Sequence, residues 1–81
     1  MNKQTVIDQI VSNARALLPQ LADRAITPDD SLRALGANSV DRSEIIMMTM
    51  EALQLDVPLV AMARAENIGE LADIMCGHAH A

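Results

Sequence analysis

Apolar residues recur every three or four positions in the first stretch of the chain, at Val6, Ile7, Ile10, Val11, Ala14, Leu17, Leu18 and Leu21. Asp8, Gln9, Ser12, Asn13 and Arg15 fill the opposite face. That spacing follows the helical period and predicts an amphipathic helix from about Lys3 to Leu18. Pro19 has no N–H to donate and disfavours helical backbone at the residue before it, so the helix is expected to end near Leu18.

From Pro19 to Asn38 the chain is long for a connection inside a small domain. Thr27-Pro28-Asp29-Asp30-Ser31 reads as a turn whose polar side chains can cap backbone groups. Leu32 and Leu35 stand at helical spacing, which predicts a short helical turn. Gly36 closes it, as glycine does where the backbone needs a positive φ. The segment is read as an ordered crossover tied down by Ala25, Ile26, Leu32 and Leu35.

A second long helix is predicted from about Ser39 to Leu53, with Asn38 or Ser39 as N-cap and Asp41 and Glu44 complementing the positive end of its dipole. Its apolar residues are Val40, Ile45, Ile46, Met47, Met48, Met50, Ala52 and Leu53. One core-facing stripe needs only three or four apolar positions per two turns, so the surplus should reach the surface. Met48 is read as core filler, and at least one of Met47 and Met50 as exposed. Such residues can be a docking face or ordinary surface apolar groups.

Val57-Pro58 ends an extended connector. A short helix is expected over Leu59 to Ala65, carrying Val60, Met62 and Ala63. Glu66 and Asn67 open a last helix with Ile68, Leu71, Ala72, Ile74 and Met75 inward. Gly77 is expected to stop it, leaving residues 77–81 as a frayed tail. No strand alternation, internal repeat or low-complexity tract interrupts the pattern. The fold class is therefore all-α, a single domain over residues 1–81 built as a small bundle of three main helices plus short ones.

Composition narrows the function. The 81 residues carry a net charge of −5, from eleven acids against six bases. No Lys/Arg cluster is available to displace counterions from phosphates, which argues against nucleic-acid binding and against anionic membranes. Partners with basic patches fit better. There is no Phe, Tyr or Trp, so the core is aliphatic and Met-based, and an easily unfolded monomer is expected. A lone Cys76 provides no disulfide framework, and His78 and His80 alone are too few ligands for a metal site. Neither a signal peptide nor an apolar run of about 20 residues is present. A cytoplasmic location is expected.

Ser39 is the residue whose chemistry needs explaining. It can be a plain helix N-cap, or an attachment point for a phosphate ester, which the free N–H groups and positive dipole end of a helix start would favour. Catalysis is excluded on partners. A nucleophilic serine needs a base within hydrogen-bond reach, the only histidines lie in the tail, and Gly36-Ala37-Asn38-Ser39-Val40 is not a G-x-S-x-G elbow.

The run Asp30-Ser31-Leu32, Leu35-Gly36, Asn38-Ser39-Val40-Asp41 and Glu44 resembles the phosphopantetheine attachment region of acyl carrier proteins, and the likeness extends over nearly the whole chain. The resemblance implies a four-helix bundle with a short third helix, no catalytic residue and no metal, and a covalent 4′-phosphopantetheine arm on Ser39. Asn38 and Val40 depart from the usual Asp and Leu around that serine. LGANSVDRSEIIMMTME and NIGELAD are most similar to the free-standing donor carriers of polyketide β-branching cassettes. That narrower likeness implies an acetyl thioester presented to a synthase related to hydroxymethylglutaryl-CoA synthase. It also implies a phosphopantetheinyl transferase and an acyl-loading acyltransferase and decarboxylase as partners. Asn38, Val40, Asp41, Arg42, Glu44, Met47 and Met50 are the candidate partner-binding residues. The alternatives are an ordinary extension carrier of polyketide or fatty-acid synthesis, and a helical interaction module without a prosthetic group.

Overall fold

The side-chain oxygen of Asn2 accepts the Thr5 N–H at 2.8 Å and so caps the first helix. In the computed structural model, which describes residues 2–79 and their side chains as far as residue 77, that helix is α1, Lys3–Leu17. It ends where expected, and Pro19 begins a single 3₁₀ turn, Pro19–Leu21. Val6, Ile7, Ile10 and Ala14 are buried, followed by Leu18 and Leu21, while Val11 and Leu17 pack half-buried at the edge.

Asn13, assigned to the polar face, is buried instead. It lies three residues beyond Ile10 and so shares that residue's face. Burial of its amide is tolerated because the group is satisfied: Nδ2 donates to Thr49 Oγ1 at 2.9 Å, and Oδ1 accepts from Gln9 Nε2 at 3.2 Å.

The crossover is ordered by its own hydrogen bonds. The Asp30 carboxylate accepts the Thr27 N–H at 2.8 Å, and Ser31 Oγ accepts the Ala34 N–H at 2.9 Å, heading the expected single turn. Arg15 Nη2 donates to the Arg24 carbonyl at 3.0 Å, tying the crossover to α1. Leu32 and Leu35 are buried and Ile26 is half-buried, but Ala25 is exposed. A single methyl has little apolar area to gain from burial, and Leu21 serves as the inward anchor in that part of the chain. Gly36 has φ +106°, the conformation anticipated for it.

The second helix, α2, covers Ser39–Leu53 and closes at Gln54 in the left-handed conformation. The next, α3, is only Leu59–Met62, shorter than the span to Ala65 read from the sequence. The Ala63 and Ala65 N–H groups bond to the carbonyls three residues back, Val60 and Met62, so the backbone has already tightened out of the α pattern. The last helix, α4, is Ile68–Ala79, with Ile68, Leu71, Ala72 and Met75 buried and Ile74 half-buried.

Two backbone bonds sew the crossover to the head of α4, from the Ile68 N–H to Asp30 O at 2.9 Å and from the Gly69 N–H to Pro28 O at 2.8 Å. They occupy donors that a helix start leaves without intrahelical partners. A Cβ on residue 69 would lie 3.3 Å from that Pro28 oxygen, so a larger residue there would press on this close approach. Gly77 does not stop α4, which runs through it. A glycine costs only about 1 kcal/mol in a helix, and no proline follows to block continuation. His80 and Ala81, the end of the expected frayed tail, lie outside the described residues, as do the side chains of His78 and Ala79.

The four helices form a bundle in which α1 packs against both α2 and α4, and α3 packs against α4. There is no strand among the described residues. The core is aliphatic and Met-based, with Ile10, Ile45, Ile68 and Met75 at its centre. This packing holds the N-terminal end of α2 beside α3 and the crossover.

Candidate functional site at the start of the second helix

Asn38 and Asp41 cap α2 reciprocally. Asn38 Oδ1 accepts the Asp41 N–H at 2.8 Å, and Asp41 Oδ2 accepts the Asn38 N–H at 3.2 Å. This is a capping box with an aspartate in the usual glutamate place. The N-cap role is therefore filled by Asn38 and not by Ser39. Ser39 is the first helical residue, it is exposed, and its hydroxyl makes no hydrogen bond with another described residue.

Arg42 does not extend freely into solvent. Its guanidinium turns back, Nη1 donating to the Ala37 carbonyl at 2.9 Å in a half-buried setting. Among the described residues no triad is assembled around Ser39, since the Asp41 carboxylate is turned to the Asn38 N–H and the Arg42 guanidinium to Ala37. No described residue activates the displayed hydroxyl.

Ser39 and Arg42 line a cleft of about 570 Å³ between α2, α3 and the crossover. Buried Leu32, Met62 and Leu71 supply apolar lining, and Ser31, Arg33, Ser43, Glu66 and Asn67 supply polar lining. A phosphodiester on Ser39 fits this arrangement. The hydroxyl points to no internal partner it would have to give up, and the first turn of a 15-residue helix presents the positive end of its dipole beside it. Among the described residues no group of three or more His, Cys, Asp or Glu could hold a metal ion. None of the described helices is long and apolar enough to cross a membrane.

The remaining candidate residues separate into two groups. Val40, Glu44 and Met47 lie at i, i+4 and i+7 on one face and are all exposed, Val40 by 72% and Met47 by 52%. Met50 is half-buried and packs against the core, so Met47 is the exposed member of that pair. Met48, read as core filler, is half-buried and lies outside the core cluster. The buried line of α2 is Ile45 and Thr49 instead. Thr49 can take that place because Oγ1 donates to the Ile45 carbonyl at 2.8 Å while accepting from Asn13.

Leu59 and Val60 were not singled out from the sequence as exposed, yet α3 presents both to solvent, by 46% and 81%. Leu59 also lines the cleft that holds Ser39. A four-residue helix has too few turns for periodicity to say which of its apolar residues faces inward. Only its docking against α4 decides that Met62 is the buried one.

A family model described as phosphopantetheine attachment site matches residues 8–75. The polyketide biosynthesis acyl-carrier-protein AcpK of Bacillus subtilis (strain 168) is 41% identical over 75 residues, covering 93% of this chain and 92% of that protein. Among solved structures, the crystal structure of the curacin biosynthetic pathway HMG synthase in complex with acetyl donor-ACP contains a chain with 47% identity. The match covers 95% of this chain and 99% of that one, with a TM-score of 0.90.

Proposed function

The chain belongs to the phosphopantetheine attachment family as an acyl carrier protein, and from that premise we propose that Ser39 bears the arm and that the loaded protein donates an acetyl group to a hydroxymethylglutaryl-CoA synthase-like enzyme in polyketide β-branching. The observation that carries the site is the exposed Ser39 hydroxyl at the first position of α2, immediately after the Asn38 N-cap and without a hydrogen-bond partner among the described residues. The whole-length likeness to an acetyl donor carrier at 47% identity supports the narrower role.

In attachment, Ser39 Oγ forms a bond to the pantetheine-bearing phosphorus of coenzyme A. The pyrophosphate P–O bond breaks, adenosine bisphosphate leaves, and the hydroxyl proton passes to a base of the transferase, since no base stands beside Ser39 among the described residues. The arm supplies a terminal thiol on which an acyl group is held as a thioester. The chain's own work is to present Ser39, to offer a positive helix end to the phosphodiester, and to dock its partners. It carries out no catalytic step itself. Its partners are a phosphopantetheinyl transferase, an acyltransferase and decarboxylase that load the arm, and the synthase. It acts as a cytoplasmic monomer.

Incubation with a phosphopantetheinyl transferase and coenzyme A, read by intact mass, tests the site: the wild type gains one arm and Ser39→Ala gains none. Mass gain by Ser39→Ala overturns the assignment of that residue. The loaded protein is then offered to a purified β-branching synthase. A carrier that donates no acetyl group there, yet accepts malonyl groups and supports elongation, is an extension carrier, and the narrower role is wrong.

A further inference from the structure

The three residues before Ser39 are fastened at almost every backbone group. The Gly36 N–H bonds to Arg33 O at 3.1 Å and the Ala37 N–H to Leu32 O at 3.0 Å. The Asn38 N–H is taken by the Asp41 carboxylate. The helical ladder of α2 starts with the Arg42 N–H on Asn38 O, at 2.9 Å. Ala37 O stands one residue ahead of that first acceptor, so the helix supplies it no N–H, and a carbonyl in a partly buried place needs a donor from elsewhere. Arg42 Nη1 is that donor, at 2.9 Å.

We infer that Arg42 is a positioning residue for the modification of Ser39, acting through the Ala37 carbonyl. This rests on Ser39 being the attachment residue. The Ala37 side chain is buried at 2% exposure, and Gly36 on its other side holds a positive φ that confines the turn. The Arg42 bond holds the carbonyl end of the Ala37–Asn38 peptide plane at 2.9 Å, opposite the N–H end that the Asp41 carboxylate holds less tightly at 3.2 Å. That plane sets the direction in which α2 begins and hence where the Ser39 hydroxyl points. The charged neighbour thus acts on the presentation of Ser39 and not on capture of the transferase. A charge-assisted bond is also among the stronger single hydrogen bonds, which suits a lone donor given this task.

The test compares wild type, Arg42→Met, which keeps the length of the side chain and removes the donor, and Arg42→Lys, which restores one. Ser39→Ala is the blank. Failure of the wild type to gain mass removes the underlying reading before any Arg42 variant is considered. With the wild type active, Arg42→Met is expected to lower kcat for arm transfer by about ten-fold, at the modest end of what misplacing a reacting group costs. KM for the carrier should stay within about two-fold, because docking energy is common to bound and reacting states. Arg42→Lys is expected to recover most of the rate. In the unmodified protein, Arg42→Met should speed hydrogen exchange of the Ala37 and Asn38 amides, measured by NMR, while circular dichroism stays helical. A raised KM that grows with salt, at unchanged kcat, overturns the inference in favour of a partner contact. A lowered kcat with unchanged exchange at Ala37 and Asn38 overturns it in favour of direct contact with coenzyme A. No change in either constant overturns it as well.

Discussion

Asn13 of α1 donates to Thr49 Oγ1 of α2 at 2.9 Å, and Thr49 in turn donates to the Ile45 carbonyl at 2.8 Å. Among the described residues these are the buried polar ones of an otherwise apolar core, and their bond helps set how the helix bearing Ser39 registers against α1. Removing Thr49 strands Asn13 Nδ2, at a cost of about 1–3 kcal/mol, while removing Asn13 leaves Thr49 its bond to the Ile45 carbonyl; replacing both by apolar groups can be nearly neutral. Thr49→Val is expected to lower the thermal midpoint by at least several degrees, and Asn13→Leu by less. The double variant should lose less than the sum, because neither group is then left alone. Strictly additive losses in thermal unfolding would show that the bond is incidental.

The two glycines of α4 are expected to respond oppositely to alanine. A Cβ at Gly77 meets nothing within 4 Å, so Gly77→Ala gains helix propensity, up to about 1 kcal/mol. At Gly69 the same Cβ falls 3.3 Å from Pro28 O and 3.4 Å from Asn67 Oδ1. The Pro28 oxygen is held against α4 by the Gly69 N–H itself, so it cannot retreat without weakening the bond. Gly69→Ala should therefore be neutral to destabilising in thermal melts. Equal gains at both positions would mean that the crossover yields freely.

Asp41 and Glu44 look equivalent as acids of one helix start, but only Asp41 is tied into the cap. Asp41→Ala removes one acceptor of the capping box and should cost about 1 kcal/mol. Glu44 is exposed, and its removal should change stability by less than about 0.5 kcal/mol. Denaturant midpoints of the two variants check this, and similar losses at both would count against the cap assignment.

What the sequence disclosed and what it withheld follow from the range of the interactions. The spans of α1 and α2, the stop before Pro19, the positive φ at Gly36 and the inward face of α4 are local consequences of periodicity, proline and glycine, and all were legible. Asn13, Met48 and Ala25 were misjudged and the facing of Val60 was left open; for Asn13 and Val60 a neighbour distant in sequence decides the environment. Thr49, 36 positions away, makes burial of Asn13 tolerable. Docking of α3 on α4 selects Met62 over Val60. Ser39 could be identified only through resemblance, since no acid–base partner marks it. That Asn38 and not Ser39 caps α2 depends on which side chain turns toward the Asp41 N–H, a rotamer choice that the residue types leave open.

The exposed stripe of α2 alternates apolar and acidic residues, Val40, Glu44, Met47 and Glu51, at helical spacing on one face beside Ser39. A face of that composition suits a shallow, transient contact with basic residues around a synthase entrance, reached by the arm while the helix rests outside. The two residue classes should then separate kinetically. Glu44→Gln should slow association with the synthase, most clearly at low salt where charges are least screened, because long-range attraction acts on encounter. Met47→Ala should mainly speed dissociation, with little salt dependence, since apolar contact is made only after docking. Met50→Ala serves as the contrast. Its side chain packs against the core, so its first effect should be a lower thermal midpoint, with weaker binding only as a consequence. Surface-immobilised synthase with loaded carrier in solution resolves the two rates. If Glu44→Gln leaves association unchanged at low salt and Met47→Ala leaves dissociation unchanged, this stripe is not the docking face, and exposed Leu59 and Val60 on α3 become the residues to test.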